Sequence, residues 1–233
     1  MTYTELSAAI QTYTENTFPT ITLANSSTVS STAQINRFIE QAEQRIYNTV
    51  QFPSLRKNVT GTITASNKYL SCPDDFLAPY SLAVFSGSGP YTFLLNKDVN
   101  FMREAYPTPT DTGTPKYYAL FGPTIASSVI TNELSFILGP TPDATYSAEL
   151  HYYYYPESIT VASSGQTWLG DNFDTVLLYG ALVEAYTFQK GEADLLALYD
   201  GKYKEALVLA KRLGDGMERQ DAYRSGQYRQ AVT

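Results

Sequence analysis

The apolar residues of this sequence change their spacing twice along the chain. Near both ends they recur every three or four residues, which is the period of an amphipathic helix. Between about Arg56 and Ile159 they recur every second residue, which is the period of a strand with one buried face. Short runs of Gly, Pro, Ser and Thr separate these strand-like segments. The order helix, helix, strands, helix, helix predicts an α+β fold.

Two helices are predicted before the strands. The first begins at Thr2, which forms a Thr-x-x-Glu capping box with Glu5. The second begins near Thr32 and ends before Pro53. Its apolar residues lie at clean helical spacing from Ile35 to Val50 and predict one buried stripe.

Two more helices are predicted after the strands. Asp171 is expected to cap the segment "FDTVLLYGALVEAYTFQ", whose wide apolar coverage indicates burial on most sides, and Gly191 is expected to end it. The segment "EADLLALYDGKYKEALVLAKRL" is expected to end at Gly214 and Gly216. Its predicted buried stripe consists of Leu196, Tyr199, Tyr203, Ala206, Leu207, Ala210 and Leu213.

Neither pair of helices can bury two faces by itself. We therefore expect the N-terminal and C-terminal pairs to pack together as a four-helix module, with an antiparallel β-sandwich-like module inserted between them. The predicted boundaries are 1–54 plus 165–216 for the helical module and 55–164 for the β module. Residues 217–233 form a separate C-terminal arm.

The stretch "AELHYYYYPESI" places four tyrosines beside the only histidine. In an extended chain, Tyr152 and Tyr154 share the face of Ala148 and Leu150, which predicts core positions. The opposite face carries His151, interpreted as a surface histidine, followed by Tyr153 and Tyr155. These two tyrosines can contact another protein, stack on sugar rings, or be exposed without a role. The sequence leaves these alternatives open.

Composition indicates an interaction surface. Aromatic residues make up 14% of the chain, including 20 tyrosines, and charged residues only 17%. Tyrosine is enriched where protein surfaces meet, because it combines apolar area with a polar tip. The net charge of −7 argues against a protein that grips nucleic-acid phosphates. It is compatible with an acidic wall along which DNA slides.

The sequence offers little catalytic chemistry. One cysteine and one histidine allow neither an internal disulfide nor a thiolate or histidine-based metal site, and no cofactor is expected. Neither a G-x-S-x-G elbow nor a phosphate-binding loop occurs. A glycosidase could use paired carboxylates, with Asp74, Asp75, Asp171 and Asp174 as candidates, but a turn and a helix N-terminus explain these positions. We therefore expect no enzyme.

No signal peptide or membrane span is predicted, so we expect synthesis in a cytoplasm. The C-terminal arm carries residue types that are common at interface hot spots. They are Arg219, Tyr223, Arg224, Tyr228 and Arg229. An arm that orders on a partner and a frayed end are both compatible with this composition.

Several long strings follow one another in fixed order from about residue 35 to residue 215. They are "RFIEQAEQRIYNTVQFPSLRKNVTGTIT", "NKYLSCPDDFLAPYSL", "FLLNKDVNFMREAYP", "GTPKYYALFG", "LSFILGPTPDATYSAELHYYYYPESI" and "TWLGDNFDTVLLYGALVEAYTF". The sequence resembles the head-to-tail adaptor proteins of short-tailed bacteriophages, the tail tubular protein A-like group of the phage adaptor protein family. The likeness extends over whole strings and is more specific than any short motif.

The resemblance implies a structural virion protein that forms a dodecameric ring between the portal protein and the tail nozzle protein. Such a ring extends the DNA channel and supports the attachment of the tail or of a tail fibre protein. It implies a portal contact on residues 217–233, with Tyr153 and Tyr155 facing a neighbouring adaptor or the nozzle. The implied location is the head–tail junction of the virion, after assembly in the host cytoplasm. A carbohydrate- or receptor-binding tail module is the alternative.

Overall fold

The computed structural model describes residues 1–50, 52–108, 110–122, 124–126, 129–132 and 134–219, with the backbone alone at 53, 124–126, 129–132 and 214–219. The helices of these ranges are α1 (Tyr3–Thr14), α2 (Ser31–Thr49), α3 (Val99–Ala105), α4 (Trp168–Asn172), α5 (Asp174–Gln189) and α6 (Ala193–Arg219). Helices lie toward both ends of the chain and the strands lie mainly between them, and the α+β fold class is confirmed.

The N-terminal helices begin where the sequence predicts, because polar side chains satisfy their free N–H groups. Thr2 Oγ1 accepts a hydrogen bond from the Glu5 N–H at 3.3 Å, and Glu5 Oε2 accepts one from the Thr2 N–H at 2.8 Å. This confirms the capping box. Ser30 caps α2 by accepting a hydrogen bond from the Ala33 N–H at 3.2 Å.

Two predicted limits of the C-terminal helices are wrong. Asp171 does not cap α5, because it lies inside α4, which Thr167 caps by accepting a hydrogen bond from the Gly170 N–H at 3.2 Å. The helix α5 begins at Asp174 without a side-chain cap. The helix α6 continues through the two glycines at 214 and 216 to Arg219. A glycine inside a helix costs about 1 kcal/mol relative to alanine, which does not by itself end a long helix.

Most of the strands are short, and they lie mainly between the two helix pairs. They are β1 (Ile21–Thr22), β2 (Thr28–Val29), β3 (Arg56–Ile63), β4 (Tyr69–Ser71), β5 (Ala78–Phe85), β6 (Thr92–Phe93), β7 (Leu95–Asn96), β8 (Thr112–Gly113), β9 (Tyr117–Phe121), β10 (Thr124–Ala126), β11 (Val129–Asn132), β12 (Ser135–Gly139), β13 (Thr141–Pro142) and β14 (Tyr146–Tyr153). One four-stranded sheet has the order β3-β14-β5-β6, and a second has the order β4-β12-β9-β7.

The prediction of a wholly antiparallel β module is wrong at two places. The first sheet is antiparallel throughout, but β7 pairs with β9 in parallel, as does β13 with β8. The segment between β7 and β9 contains α3. A parallel pair needs such a crossover connection, since a tight hairpin can only join antiparallel strands.

The two four-stranded sheets share one buried cluster. The first sheet contributes Ala148, Leu150 and Tyr152 from alternate positions of β14, as the period of two predicts. The second contributes Tyr118, Phe136 and Leu138, and the Phe136 ring lies edge-on to Tyr118 at 5.5 Å between centroids. Tyr152 is 1% exposed, whereas Tyr154 lies beyond the strand and is half-buried against the cluster.

The helix α5 is buried on most sides, as the sequence predicts. It contacts α1, α2 and α6, and its buried residues include Val176, Leu177, Ala181 and Leu182. Gly180 lies at the closest approach: a Cβ placed there would be 3.2 Å from Ala42 Cβ and 3.2 Å from the Tyr203 ring. The absence of a side chain at this position lets three helices come together.

Contacts divide the chain into two compact units. One, the helical unit, takes Met1–Leu55 and the chain from Tyr155 onward, and the other, the β unit, takes Arg56–Tyr154. The sequence analysis places the corresponding boundaries at 54/55 and 164/165. Ile159 is buried, and its N–H donates to Glu43 Oε1 of α2 at 3.0 Å. The segment after Tyr154 therefore packs with the helices.

We expect Gly180→Val to lower the free energy of unfolding by about 1–3 kcal/mol, because its methyl groups would overpack the contact with Ala42 and Tyr203. Gly201→Ala is the matched control in α6, where an added Cβ meets nothing within 4 Å. It should raise stability by up to ~1 kcal/mol. Urea unfolding followed by circular dichroism measures both, and equal stabilities for Gly180→Val and wild type would contradict the close contact.

Candidate interaction surfaces

A buried tyrosine, an aspartate and a lysine form a small network in the β unit. The Tyr152 hydroxyl donates to Asp75 Oδ1 at 2.7 Å, and Lys57 Nζ donates to Asp75 Oδ2 at 2.7 Å. Burial would raise the pKa of Asp75, but the hydrogen bonds from Lys57 and Tyr152 outweigh it and hold this pKa below its usual value. A glycosidase general acid needs a raised pKa, so Asp75 does not fit this role.

The two tyrosines predicted as a contact surface belong to different units. Tyr153 ends β14 and is half-buried, with its ring centroid 6.0 Å from that of Tyr80 and 5.6 Å from the Arg56 guanidinium carbon. Tyr155 lies beyond the strand, and its hydroxyl donates to Asn48. The expected shared strand face is therefore wrong, because β14 ends before Tyr155. The interface and sugar-stacking roles of the two residues stay predictions.

The β unit carries an exposed aromatic cluster that the sequence analysis missed. The ring centroids of Phe85 and Tyr91 are 4.6 Å apart, and those of Tyr91 and Phe93 are 6.3 Å apart. Phe93 is 67% exposed. The signal was present in "GPYTFLL", where Tyr91 and Phe93 are two residues apart and so share one face of an extended chain.

The helical unit exposes apolar side chains along α6. They are Leu195, Leu198, Val208, Leu209 and Leu213. The buried side of α6 contains Tyr203, Ala206 and Ala210, as predicted, whereas the predicted burial of Leu213 is wrong. Leu213 lies one turn beyond Leu209, on the exposed side of the helix.

An apolar groove of about 390 Å³ lies between the β1–β2 hairpin, α2 and α5. Its lining includes Ile21, Leu23, Phe38 and Phe188. The Phe38 ring lies 5.3 Å from the rings of both Phe18 and Phe188, so one wall of the groove is aromatic. Phe188 is half-exposed and can contact a second molecule.

A buried glutamate fixes the segment that returns from the β unit to the helices. Glu43 is 3% exposed and accepts the hydrogen bond from Ile159, while Glu40 Oε1 accepts one from Thr160 Oγ1 at 3.0 Å. Burial raises the pKa of Glu43 above its usual value, although the hydrogen bonds from Ile159 and Ser158 act in the opposite direction. The sequence signal that could have identified Glu43 is its place in the helical period, four residues after Ile39, where an apolar residue is expected.

The remaining candidates for chemistry are not brought together. His151 is half-buried with Nδ1 3.3 Å from Ser81 Oγ, and Asp171 and Asp174 lie in α4 and at the start of α5. Burial raises the pKa of Cys72 to about 12, which keeps the thiol protonated at neutral pH. Within the described ranges, no three His, Cys, Asp or Glu residues are placed to hold a metal ion.

None of the helices described above is long and apolar enough to cross a membrane.

The predicted portal-binding residues lie at and beyond the end of the described chain. Arg219 is the last residue of α6. Tyr223, Arg224, Tyr228 and Arg229 lie outside the described residues. Their role stays a prediction.

Comparison with known families decides the kind of protein to which these surfaces belong. A family model described as SU10 adaptor protein matches residues 1–231. The chain belongs to the SU10 adaptor protein family. This adaptor is a structural bacteriophage protein and a component of the virion, and it interacts with other head and tail components of the phage. The family is not known for an enzymatic activity. No curated protein sequence matches the adaptor.

We expect Tyr152→Phe to lower the free energy of unfolding of the adaptor by about 1 kcal/mol, because it removes one partly buried hydrogen bond to Asp75. Since the pKa of Asp75 is lower in the folded than in the unfolded chain, its stabilisation is present at neutral pH. It is lost as the pH falls from the usual aspartate range through the lower folded value. Asp75→Asn should remove this loss of stability at acid pH. Urea unfolding at a series of pH values measures it. Asp74→Asn makes the same charge change at the neighbouring residue and is the control.

Glu43→Gln should change how the free energy of unfolding depends on pH, in the direction opposite to that expected for Asp75→Asn. The folded pKa of Glu43 is raised, so the wild type loses stability as the pH rises from about 4.3 through the folded value. Glutamine keeps an acceptor oxygen for the Ile159 N–H and carries no charge, so this loss should disappear. Urea unfolding from pH 4 upward measures it, with Glu40→Gln as the control at the exposed partner of Thr160. Parallel stability curves for wild type and Glu43→Gln would contradict the role of burial.

Proposed function

We propose that this adaptor forms a dodecameric ring at the head–tail junction of a short-tailed phage, between the portal protein and the tail nozzle protein. In this function the ring extends the DNA channel and supports attachment of the tail or of a tail fibre protein. The single observation that carries the proposal is the match of the adaptor family model to residues 1–231. The family establishes an adaptor, and its place in the ring is our inference.

The exposed surfaces support an assembly of several partners. A ring is closed by heterologous contacts, in which each copy presents two different faces. The helical unit exposes apolar residues along α6, and the β unit exposes the Phe85–Tyr91–Phe93 cluster. Both are of the aromatic and aliphatic kind that anchors protein interfaces.

The C-terminal part of α6 supports a portal contact that begins before the arm. Val208, Leu209 and Leu213 are exposed on the last described side-chain turns of this 27-residue helix. The helix leads directly into the predicted portal-binding residues from Arg219 onward. We propose that the two helix pairs act as one four-helix module that carries this helix end and the arm together to the portal.

The negative net charge supports a channel that does not retain DNA. The chain carries 23 acidic and 16 basic side chains. Many copies around a duplex would present a repulsive field to its phosphates. In the proposed ring DNA therefore passes without specific binding.

The test is to mix the purified adaptor with portal rings and to image the mixture by electron microscopy. We expect an added ring of density on the portal, and its absence would contradict the proposed function. A chain ending at Arg219 keeps α6 as far as the structure describes it and removes residues 220–233, which are most of the arm. It should keep its folded circular dichroism spectrum and fail to add to the portal.

Point variants test whether the arginines of the arm are needed for binding to the portal. Arg224→Ala with Arg229→Ala should weaken addition to the portal about tenfold or more, because arginine anchors interface hot spots. The matched variants Arg224→Lys and Arg229→Lys keep the charge and should retain part of the binding. Wild-type addition by the chain that ends at Arg219 would contradict the role of the arm and leave the ring itself standing.

A further inference from the structure

The strand β3 (Arg56–Ile63) is a long open edge of the first four-stranded sheet. It pairs only with β14 in the described structure, and six of its eight residues are exposed. It contains no proline, and its charged residues are confined to Arg56 and Lys57. Natural proteins usually protect such edges with charges, prolines, bulges or a covering segment, because an open edge pairs with other strands.

The register shows which backbone groups of β3 point away from the sheet. The Tyr153 carbonyl of β14 accepts a hydrogen bond from the Leu77 N–H at 2.9 Å, on the side of β5. Residues that lie directly opposite in an antiparallel pair either exchange both bonds or exchange none. Arg56 lies opposite Tyr153, so its backbone groups face outward. Since the direction alternates along a strand, those of Asn58, Thr60 and Thr62 also face outward.

A second contact gives the same alternation. The Leu82 carbonyl of β5 accepts a hydrogen bond from the Leu94 N–H at 2.8 Å, away from β14. Leu82 lies opposite Leu150, so Leu150 directs its backbone groups toward β3. Val59 is the partner of Leu150 on β3, and its backbone bonds are therefore used inside the sheet.

Gly61, in the middle of β3, leaves open space over the face of the sheet at this edge. A Cβ added there would meet nothing within 4 Å, so the fold of the single chain does not require a glycine for lack of space. Glycine weakens a strand interior, and it often marks a place where another backbone approaches closely. The neighbouring Val59 is 36% exposed. From Asn58 to Thr62, the outward backbone groups of the edge and the sheet face at Gly61 are thus both accessible to a second strand.

The same chain contains a hairpin that no third strand joins among the described residues. In the described structure, the strands β10 (Thr124–Ala126) and β11 (Val129–Asn132) pair with each other alone and form their own two-stranded sheet. A two-stranded hairpin alone is marginally stable in water, and a third strand makes such a sheet stable. The two strands read "TIA" and "VITN", which are uncharged and rich in β-branched residues. Nothing in their sequence opposes pairing with another strand.

We propose that the β10–β11 hairpin of one copy of this chain adds to the β3 edge of a second copy. Within one chain the hairpin and β3 belong to different sheets, and each lacks what the other provides. The contact is heterologous, so each copy donates one hairpin and accepts another, as a closed ring requires. This inference rests on the proposed assembly of the adaptor with copies of itself and assigns one of its contacts.

Disulfide trapping between two single-cysteine chains tests the proposal. One tagged chain carries Thr62→Cys on β3, and the untagged chain carries Thr131→Cys or Asn132→Cys on β11, so that both faces of that strand are sampled. Cys72→Ala in all chains removes the native thiol. The full-length chains are mixed and oxidised with copper phenanthroline, and the mixed disulfide is measured on a non-reducing gel.

We expect the mixed disulfide to form about fivefold more than with Ser71→Cys, an exposed edge position of β4, because paired strands bring Cα atoms within disulfide range. In the Thr62→Cys chain, Thr60→Pro should reduce the disulfide severalfold. Proline removes an outward N–H without removing a bond to β14, so the fold should be kept in urea unfolding. Thr60→Val keeps the N–H and should leave the disulfide at its original level.

Three results would overturn the proposal. The first is a yield of mixed disulfide equal to that of the Ser71→Cys control. The second is a yield that Thr60→Pro leaves unchanged. The third is a dominant disulfide between two Thr62→Cys chains, which would mean that two β3 edges pair with each other. A chain carrying both cysteines that closes its disulfide internally would equally exclude a second copy. If rings form on the portal while the mixed disulfide stays at the control level, the hairpin contact is wrong and the proposed function stands.

Discussion

Strand β14 is the element on which the β unit depends. It is bonded along both edges, to β3 on one side and to β5 on the other, and is therefore a central strand of the sheet. Its alternate side chains Ala148, Leu150 and Tyr152 enter the core shared by the two four-stranded sheets. A shift of β14 by one residue would exchange this row with Glu149 and His151 and would bury charge. The register is therefore strongly determined, and it also decides which groups of β3 face outward.

In the helical unit the corresponding constraint is the burial of α5. Because α1, α2 and α6 all contact this helix, its side chains must be apolar on most sides and small at the closest approach, where Gly180 lies. Arg45 of α2 pairs with Glu184 of α5 and lies over the Tyr203 ring of α6, 5.6 Å from its centroid. The ion pair, the contact with the Tyr203 ring and the apolar packing therefore all join α2, α5 and α6. Glu43 adds the anchor that holds the segment near Ile159 to them.

The function of a structural adaptor depends on the parts of its surface that are left exposed for contact with other proteins. The exposed residues of α6, the Phe85–Tyr91–Phe93 cluster and the open edge of β3 are features that a solitary soluble domain would normally cover or charge. Asp75 illustrates the opposite case, because its carboxylate is engaged by Lys57 and Tyr152. The charges of Asp75 and Lys57 are thus used within the fold of the β unit.

The sequence by itself determined the fold class, the capping box of α1, the buried stripe of α2 and the core row of β14, because local hydrogen bonding and hydrophobic period depend on neighbouring residues alone. Only the tertiary structure decided where α5 begins, that α6 passes through Gly214 and Gly216, and that Tyr153 and Tyr155 lie in different units. It also decided that β7 pairs with β9 in parallel and that β3 lies at an edge. Strand order, helix limits and exposure depend on contacts between residues far apart in the chain, and a single sequence carries no direct record of those contacts.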